Sequence, residues 1–167
     1  MIYKVEQVKR KHPRLREYDY SANGAYFVTV CSDNKRHIFG SVVGAGHLTG
    51  PHTELSDIGK IVDENIREIP NVYPNVFVDA YAVMPNHIHL VLRIDKPNER
   101  AGRCPAPTVT IPKIISALKS LSSRKAGKSI WQRGFYDHIC REYSDYIACC
   151  QYVLDNPAEW DEDEYYL

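Results

Sequence analysis

Two histidines one residue apart, His87 and His89, are the side chains whose type and spacing first suggest chemistry. They open the run His87–Ile94, in which polar and aliphatic positions alternate at the start. In an extended strand successive side chains point to opposite faces. His87, His89 and Val91 then share one face, and Ile88, Leu90 and Leu92 share the other. The aliphatic face must lie on a core. That leaves the two imidazoles side by side, close enough to bind one metal ion; two structural histidines would show the same spacing. A second pair lies near the C-terminus. Tyr152 and Asn156 stand four apart in a helical pattern and project the same way, from one flank of an apolar arc of Tyr146, Ile147, Cys149, Cys150, Val153 and Leu154. A phenol hydroxyl can attack phosphorus, and an amide oxygen is a hard ligand suited to Mg2+ or Mn2+. A half-buried packing tyrosine and a helix-ending asparagine before Pro157 fit these two positions as well.

The elements that must position these residues can be read along the chain. Residues 24–33 (GAYFVTVCSD) are rich in β-branched and aromatic side chains and predict a strand. Residues 41–50 hold two short β-like pieces around Gly44 and Gly46, a small hairpin. Ser56 predicts the N-cap of a helix over roughly 57–69, with Ile58, Ile61, Val62, Ile66 and Ile69 at helical spacing. Strand-like runs at 76–84 and 87–94 are separated only by Pro85 and Asn86, which is hairpin punctuation. Residues 95–109 are a polar loop rich in Pro and Gly. Thr110 predicts the cap of a second helix through about Ala126, ended by Gly127. A strand around 130–139, broken by Gly134, precedes a third helix capped by Ser144 and ending before Pro157. The order β-α-β-β-α-β plus a helix predicts an α+β fold, the ferredoxin-like split βαβ arrangement with an antiparallel sheet and an additional C-terminal helix.

Composition narrows the class. The 167 residues fit a single domain 1–167, and 44% hydrophobic with 25% charged residues is ordinary for a globular chain. No apolar run reaches the length of a membrane span, and the first twenty residues lack a secretory pattern, so a cytoplasmic protein without membrane partners is expected. Five cysteines, an odd number with no Cys-x-x-Cys pair, argue against a disulfide framework and a thiolate zinc site; they are expected as small apolar fillers in a reducing compartment. The formal charge of zero conceals an uneven distribution. A basic arm at 1–20 carries Lys4, Lys9, Arg10, Lys11, Arg14 and Arg16, a second acid-free set runs from Lys113 to Arg133, and 158–167 is an acidic tail.

Taken together, the motifs resemble a known family. His87-Ile88-His89 within VMPNHIHLVL is similar to the His-hydrophobic-His motif of the single-tyrosine transposases. The segments SIWQRGFYDHICRE and QYVLDNP resemble the C-terminal half of the REP-associated tyrosine transposases, whose catalytic tyrosine lies in a Tyr-x-x-x-Asn-Pro segment matched here by Tyr152, Asn156 and Pro157. YFVTV, NKRHIFG and LSDIGKIV extend the similarity to about residues 20–160. The resemblance implies a divalent metal, Mg2+ or Mn2+, held by His87, His89 and Asn156, with Tyr152 as the nucleophile. It further implies single-stranded DNA with hairpins, such as REP-like elements, as substrate and a covalent 5′-phosphotyrosine intermediate. Other family members carry glutamine or another polar residue at the position of Asn156.

Chemistry and charge add expectations of their own. Tyr152 needs help to lose its proton, because a free phenol titrates near pKa ~10; the sequence identifies no base, with Asp137 and His138 both open. Lys119, Arg124, Lys125 and Arg133 are candidate phosphate contacts, Trp131 between them is a candidate stacking surface or a core aromatic, and Arg14 and Arg16 are a second basic possibility. One tyrosine holds one DNA end at a time, so a homodimer is a possible partner state. A non-catalytic nucleic-acid-binding protein derived from a transposase is the competing reading. A replication or plasmid-transfer initiator fits less well, since the chain is short and has no helicase domain.

Overall fold

The computed structural model describes residues 18–44, 50–97, 108–163, 165 and 166. The basic arm up to residue 17, most of the 95–109 loop and Cys104 lie outside the described residues. The elements in chain order are β1 (Gly24–Cys31), β2 (Gly40–Val43), β3 (His52–Leu55), α1 (Asp57–Arg67), the single turn α2 (Ile69–Val72), β4 (Val76–Val83), β5 (His87–Ile94), α3 (Ile111–Lys125), β6 (Tyr136–Cys140) and α4 (Tyr143–Asp155). Short 3-10 turns cover Asp33–Lys35 and Trp160–Glu162.

Four strands form one antiparallel sheet in the order β4-β5-β1-β6. That order, with two crossover helices on one face, is the ferredoxin-like arrangement expected from the element sequence. β2 and β3 form the separate hairpin, with its strands set further apart than the glycines at 44 and 46 suggest. The last strand is shorter than expected. Gly134 adopts φ 79° and divides the stretch, so Trp131 makes only an isolated bridge to Ser32 and β6 begins at Tyr136.

Local chemistry accounts for the helix ends. Ser56 Oγ accepts from Gly59 N at 3.0 Å and donates to Ile38 O at 2.6 Å, starting α1 as expected. Gly59 is required by packing, because a Cβ there would meet the Phe39 carbonyl oxygen at 1.9 Å. Thr110 Oγ1 caps α3 through Lys113 N at 3.3 Å, and Gly127 at φ 69° follows its end. For α4 the cap falls at Glu142, two residues before the expected Ser144, and Asn156 closes the helix before Pro157.

The sheet separates two apolar layers. On one face Val28, Val30, Ile88, Leu90 and Leu92 pack against Val62 and Ile66 of α1 and Ile114, Ile115 and Leu118 of α3. Each such fully buried aliphatic side chain contributes ~1.5–3 kcal/mol. On the other face α4 covers the sheet through Cys149 and Val153, against Phe27, Ala80, Ala82 and Val91. His87 and His89 belong to this second face, beneath α4 and the segment that follows it.

Candidate active site

The alternation of β5 and the register of its neighbours place the imidazoles. His89 pairs with Thr29 on β1 and Ala82 on β4, while His87 pairs with Cys31. Small Ala82 leaves room beside His89, and Phe27 stacks on it with ring centroids 5.2 Å apart. The two Nε2 atoms face each other at 3.0 Å. Both side chains are fully buried, with 0% exposure.

Each remaining ring nitrogen has a fixed partner. Asn86 Nδ2 donates to Tyr165 O at 2.7 Å, which turns its Oδ1 toward His87 Nδ1 at 2.8 Å. His87 Nδ1 must therefore carry the proton, and its Nε2 presents a lone pair. His89 Nδ1 lies 2.9 Å from Thr29 Oγ1. A hydroxyl can donate or accept, so Thr29 supports either tautomer of His89. Burial lowers the His89 pKa to about 3. Burial, then the neighbouring His89, hold His87 well below its usual range, while the Asn156 amide acts in the opposite direction. Both imidazoles are neutral at physiological pH, the form that ligates metal.

α4 and the chain beyond it complete the site. The Tyr152 ring stands edge-on to His89 at 5.3 Å and to Phe27 at 5.8 Å. Asn156, one turn on, is buried; its Nδ2 donates to Asp163 Oδ2 at 2.8 Å, and its Oδ1 has no hydrogen-bond partner. Asp163 Oδ2 is 3.8 Å from His87 Nε2, with its side chain fully covered. Burial raises the Asp163 pKa, against hydrogen bonds from Tyr165 N and Asn156 that favour the carboxylate.

These residues fit a divalent cation. Two neutral nitrogens converge, a buried amide oxygen lacks a partner, and a covered carboxylate faces the same point. The donor atoms of His87, His89 and Asp163 lie within 4.8 Å of one another. Mixed nitrogen and oxygen donors suit Mg2+, Mn2+ or Zn2+. Asp163 was hidden in the sequence as part of an acidic tail.

The site is roofed. Tyr165 packs on His87 at 4.5 Å and Trp160 at 5.9 Å. Lys35 Nζ lies 5.2 Å from the Tyr165 ring, and His37 packs against Trp160 at 5.6 Å. The turn after β1 thus places cationic Lys35 beside the site; the basic run Lys35-Arg36-His37 was its signal in the sequence.

The other candidate residues fall elsewhere. Asp137 points to the α1/α3 side of the sheet, where Tyr20 OH donates to it at 2.8 Å. His138 shares the face of the imidazole pair but is bound to Asp145. Trp131 is only 7% exposed, packs on Phe39 and donates to Ser122 Oγ at 2.8 Å, so it is a core aromatic and offers no stacking surface. Lys119 Nζ donates to the carbonyls of Gln132 and Gly134 at 2.6 and 2.9 Å. Lys119, Arg124 and Lys125 are carried by α3, on the sheet face opposite the histidines, and Lys125 lies 4.0 Å from Glu64; Arg133 is exposed in the following loop.

Known proteins share the fold that carries these residues. No protein-family model matches the chain. An uncharacterised protein of Haemophilus influenzae is 30% identical over 176 aligned positions, which cover 95% of this chain and 93% of that protein. The chain belongs to the same family as that protein. A second Haemophilus influenzae protein, assigned as a REP-associated tyrosine transposase, is 23% identical over 146 positions, 84% of this chain and 74% of its own. The solved structure of a REP-associated tyrosine transposase bound to a REP hairpin superposes with a TM-score of 0.62 at 19% identity, covering 88% of this chain and 73% of that one. The chain has the REP-associated tyrosine transposase fold. The family resemblance read from the sequence is thus accompanied by a likeness of fold over 88% of the chain. Among the described residues, no helix is long and apolar enough to cross a membrane.

Proposed function

We propose that the chain is a metal-dependent transposase that cleaves and rejoins single-stranded, hairpin-containing DNA through a covalent 5′-phosphotyrosine on Tyr152. The observation that carries this reading is the placement of the Tyr152 ring edge-on to His89, itself paired with His87 through facing Nε2 atoms. His87, His89 and Asn156, joined by Asp163, would hold the cation. Bound there, a divalent ion supplies Lewis acidity toward the non-bridging oxygens of a scissile phosphate.

The chain's own residues do the rest. Thr29 and Asn86 hold the imidazole rings in place. Phe27 and His89 fix the plane of the Tyr152 ring against the imidazole pair. Lys35 sits where a phosphate approaching His87 would gain a counter-charge. In the cleavage step the bond from the Tyr152 oxygen to phosphorus forms as the bond to the 3′ oxygen breaks. The phenol proton leaves to solvent and the departing oxygen takes one up. Attack of a free 3′-hydroxyl on the phosphotyrosine reverses the exchange and joins strands without a nucleotide cofactor. For a phosphate to reach His87, the Tyr165 ring must move off the imidazole it packs against, while Asp163 keeps its place.

That roof favours a second reading, a non-catalytic DNA-binding protein of transposase descent in which the site stays shut. The test is to incubate the protein with labelled hairpin-containing single-stranded oligonucleotides and Mg2+ or Mn2+, with a chelator control. A metal-dependent adduct that survives denaturation supports the transposase; tight binding with no adduct under any metal supports the second reading.

A further inference from the structure

A second convergence of donor groups lies away from the imidazole pair, where β6 meets the start of α4. Strand alternation puts His138 and Cys140 on the same face of β6, the face covered by α4. Helical periodicity puts Asp145 and Cys149 four apart on α4. The two pairs meet. Ligating atoms of His138, Cys140 and Cys149 all lie within 4.8 Å of one another. The Asp145 carboxylate oxygens are 2.9 and 3.0 Å from His138 Nε2, and one is 3.8 Å from Cys149 Sγ.

We propose that His138, Cys140, Asp145 and Cys149 form a structural zinc site. Zn–S bonds of about 2.3 Å and Zn–N or Zn–O bonds of about 2.0–2.2 Å put neighbouring donors of a tetrahedron about 3.3–3.8 Å apart. The separations among His138, Cys140 and Cys149 are at most 4.8 Å, so about 1–1.5 Å of side-chain adjustment brings them to that frame, and Asp145 already touches His138 and Cys149. Two sulfurs, one imidazole and one carboxylate select zinc over Mg2+ or Mn2+, and four protein donors leave no open position for catalysis.

Charge points the same way. Without a cation, the cluster gathers two thiols and a carboxylate whose anionic forms repel. A divalent ion reverses that balance, displacing the two thiol protons to solvent as the thiolates bind. The ion would pin the first two turns of α4 to β6, upstream of Tyr152 on the same helix. The sequence conceals the site because its ligands come as His-x-Cys on a strand and Asp-x-x-x-Cys on a helix, without the Cys-x-x-Cys that marks common zinc motifs.

Cobalt(II) titration of the reduced, chelator-treated full chain tests this. Because Cys31 on β1 lies beside His87, a thiolate-to-cobalt charge-transfer band with tetrahedral visible absorption is assigned to this cluster when it survives His87→Ala. We expect one equivalent of cobalt to develop the band and zinc to bleach it. His87→Ala should keep it. Cys140→Ser and Asp145→Asn, both at partly exposed positions, should lose or strongly weaken it, and the rise in Tm that zinc gives the wild type should shrink in Cys140→Ser. A reduced wild-type protein with no such band and no zinc-dependent Tm shift overturns the proposal. So does a band undiminished in both variants.

Discussion

Asn156 donates its amide hydrogen to Asp163 at 2.8 Å, and this one contact ties the end of the tyrosine-bearing helix to the segment that closes over the histidines. It aligns the buried Asn156 oxygen, which has no hydrogen-bond partner, and the Asp163 carboxylate with the facing Nε2 atoms of His87 and His89. The oxygen donors of the site thus come from two places in the chain, seven residues apart and held by each other.

Metal affinity should depend on the residues that orient the imidazoles as well as on those that touch the ion. Thr29→Val keeps the shape of the side chain but removes the oxygen 2.9 Å from His89 Nδ1. Partners of this kind carry about 10–100-fold in metal affinity. Calorimetric titration of Mn2+ should show a loss of that order for Thr29→Val and abolition for His87→Ala. An unchanged affinity in Thr29→Val would mean His89 is not a ligand.

Acid should unfold the metal-free protein from above the carboxylate range. His89 titrates at about 3 when folded against 6.5 for a free imidazole, and His87 moves the same way. The folded state binds fewer protons than the unfolded chain within that window. The stability tied to His89 is therefore complete above pH 6.5 and is lost as pH falls toward about 3, at up to ~1.4 kcal/mol per pH unit. Asp163, raised by burial, works against this: its contribution is present below 3.8 and lost as pH rises through its folded value. Urea denaturation across the window should show a shallower acid slope for His89→Gln than for the wild type. Equal slopes would contradict the burial of a neutral His89.

Removing the roof should open the site. Ending the chain at Glu159 deletes Trp160 and Tyr165, which pack on His87, together with Asp163. Modification of His87 and His89 by an imidazole-selective reagent, read by mass spectrometry, should be slow in the full chain and fast in the truncated one. Equal rates would show that the roof is already open in solution.

Much of this site was legible because it depends on short-range periodicity. The two-residue repeat of a strand put His87 and His89 on one face, and the four-residue repeat of a helix did the same for Tyr152 and Asn156. Cap and turn chemistry at Ser56, Thr110 and Gly127 set helix positions in the same local way. Features made by chain return were not legible. Asp163 and Tyr165 reach His87 only because residues after Pro157 fold back over β5, so an acidic run that resembled a solvated tail became part of the site. The basic residues of α3 stand on the opposite face because that helix must bury Ile114, Ile115 and Leu118 against the sheet. Trp131, flanked by cations in sequence, is drawn into the core by Phe39 and Ser122.

The central claim is that Tyr152 is the nucleophile. Two other tyrosines precede it on α4, but Tyr146 donates to Asp79 at 3.1 Å, with its pKa pushed up to about 12 chiefly by burial, and Tyr143 is 78% exposed. The most direct measurement is peptide mapping of the denaturation-resistant adduct formed with a hairpin oligonucleotide and Mn2+, in the wild type and in Tyr152→Phe. The account predicts a nucleotide on the peptide containing Tyr152 and no adduct in the variant. An undiminished adduct in Tyr152→Phe, carried by Tyr143 or Tyr146, would contradict it.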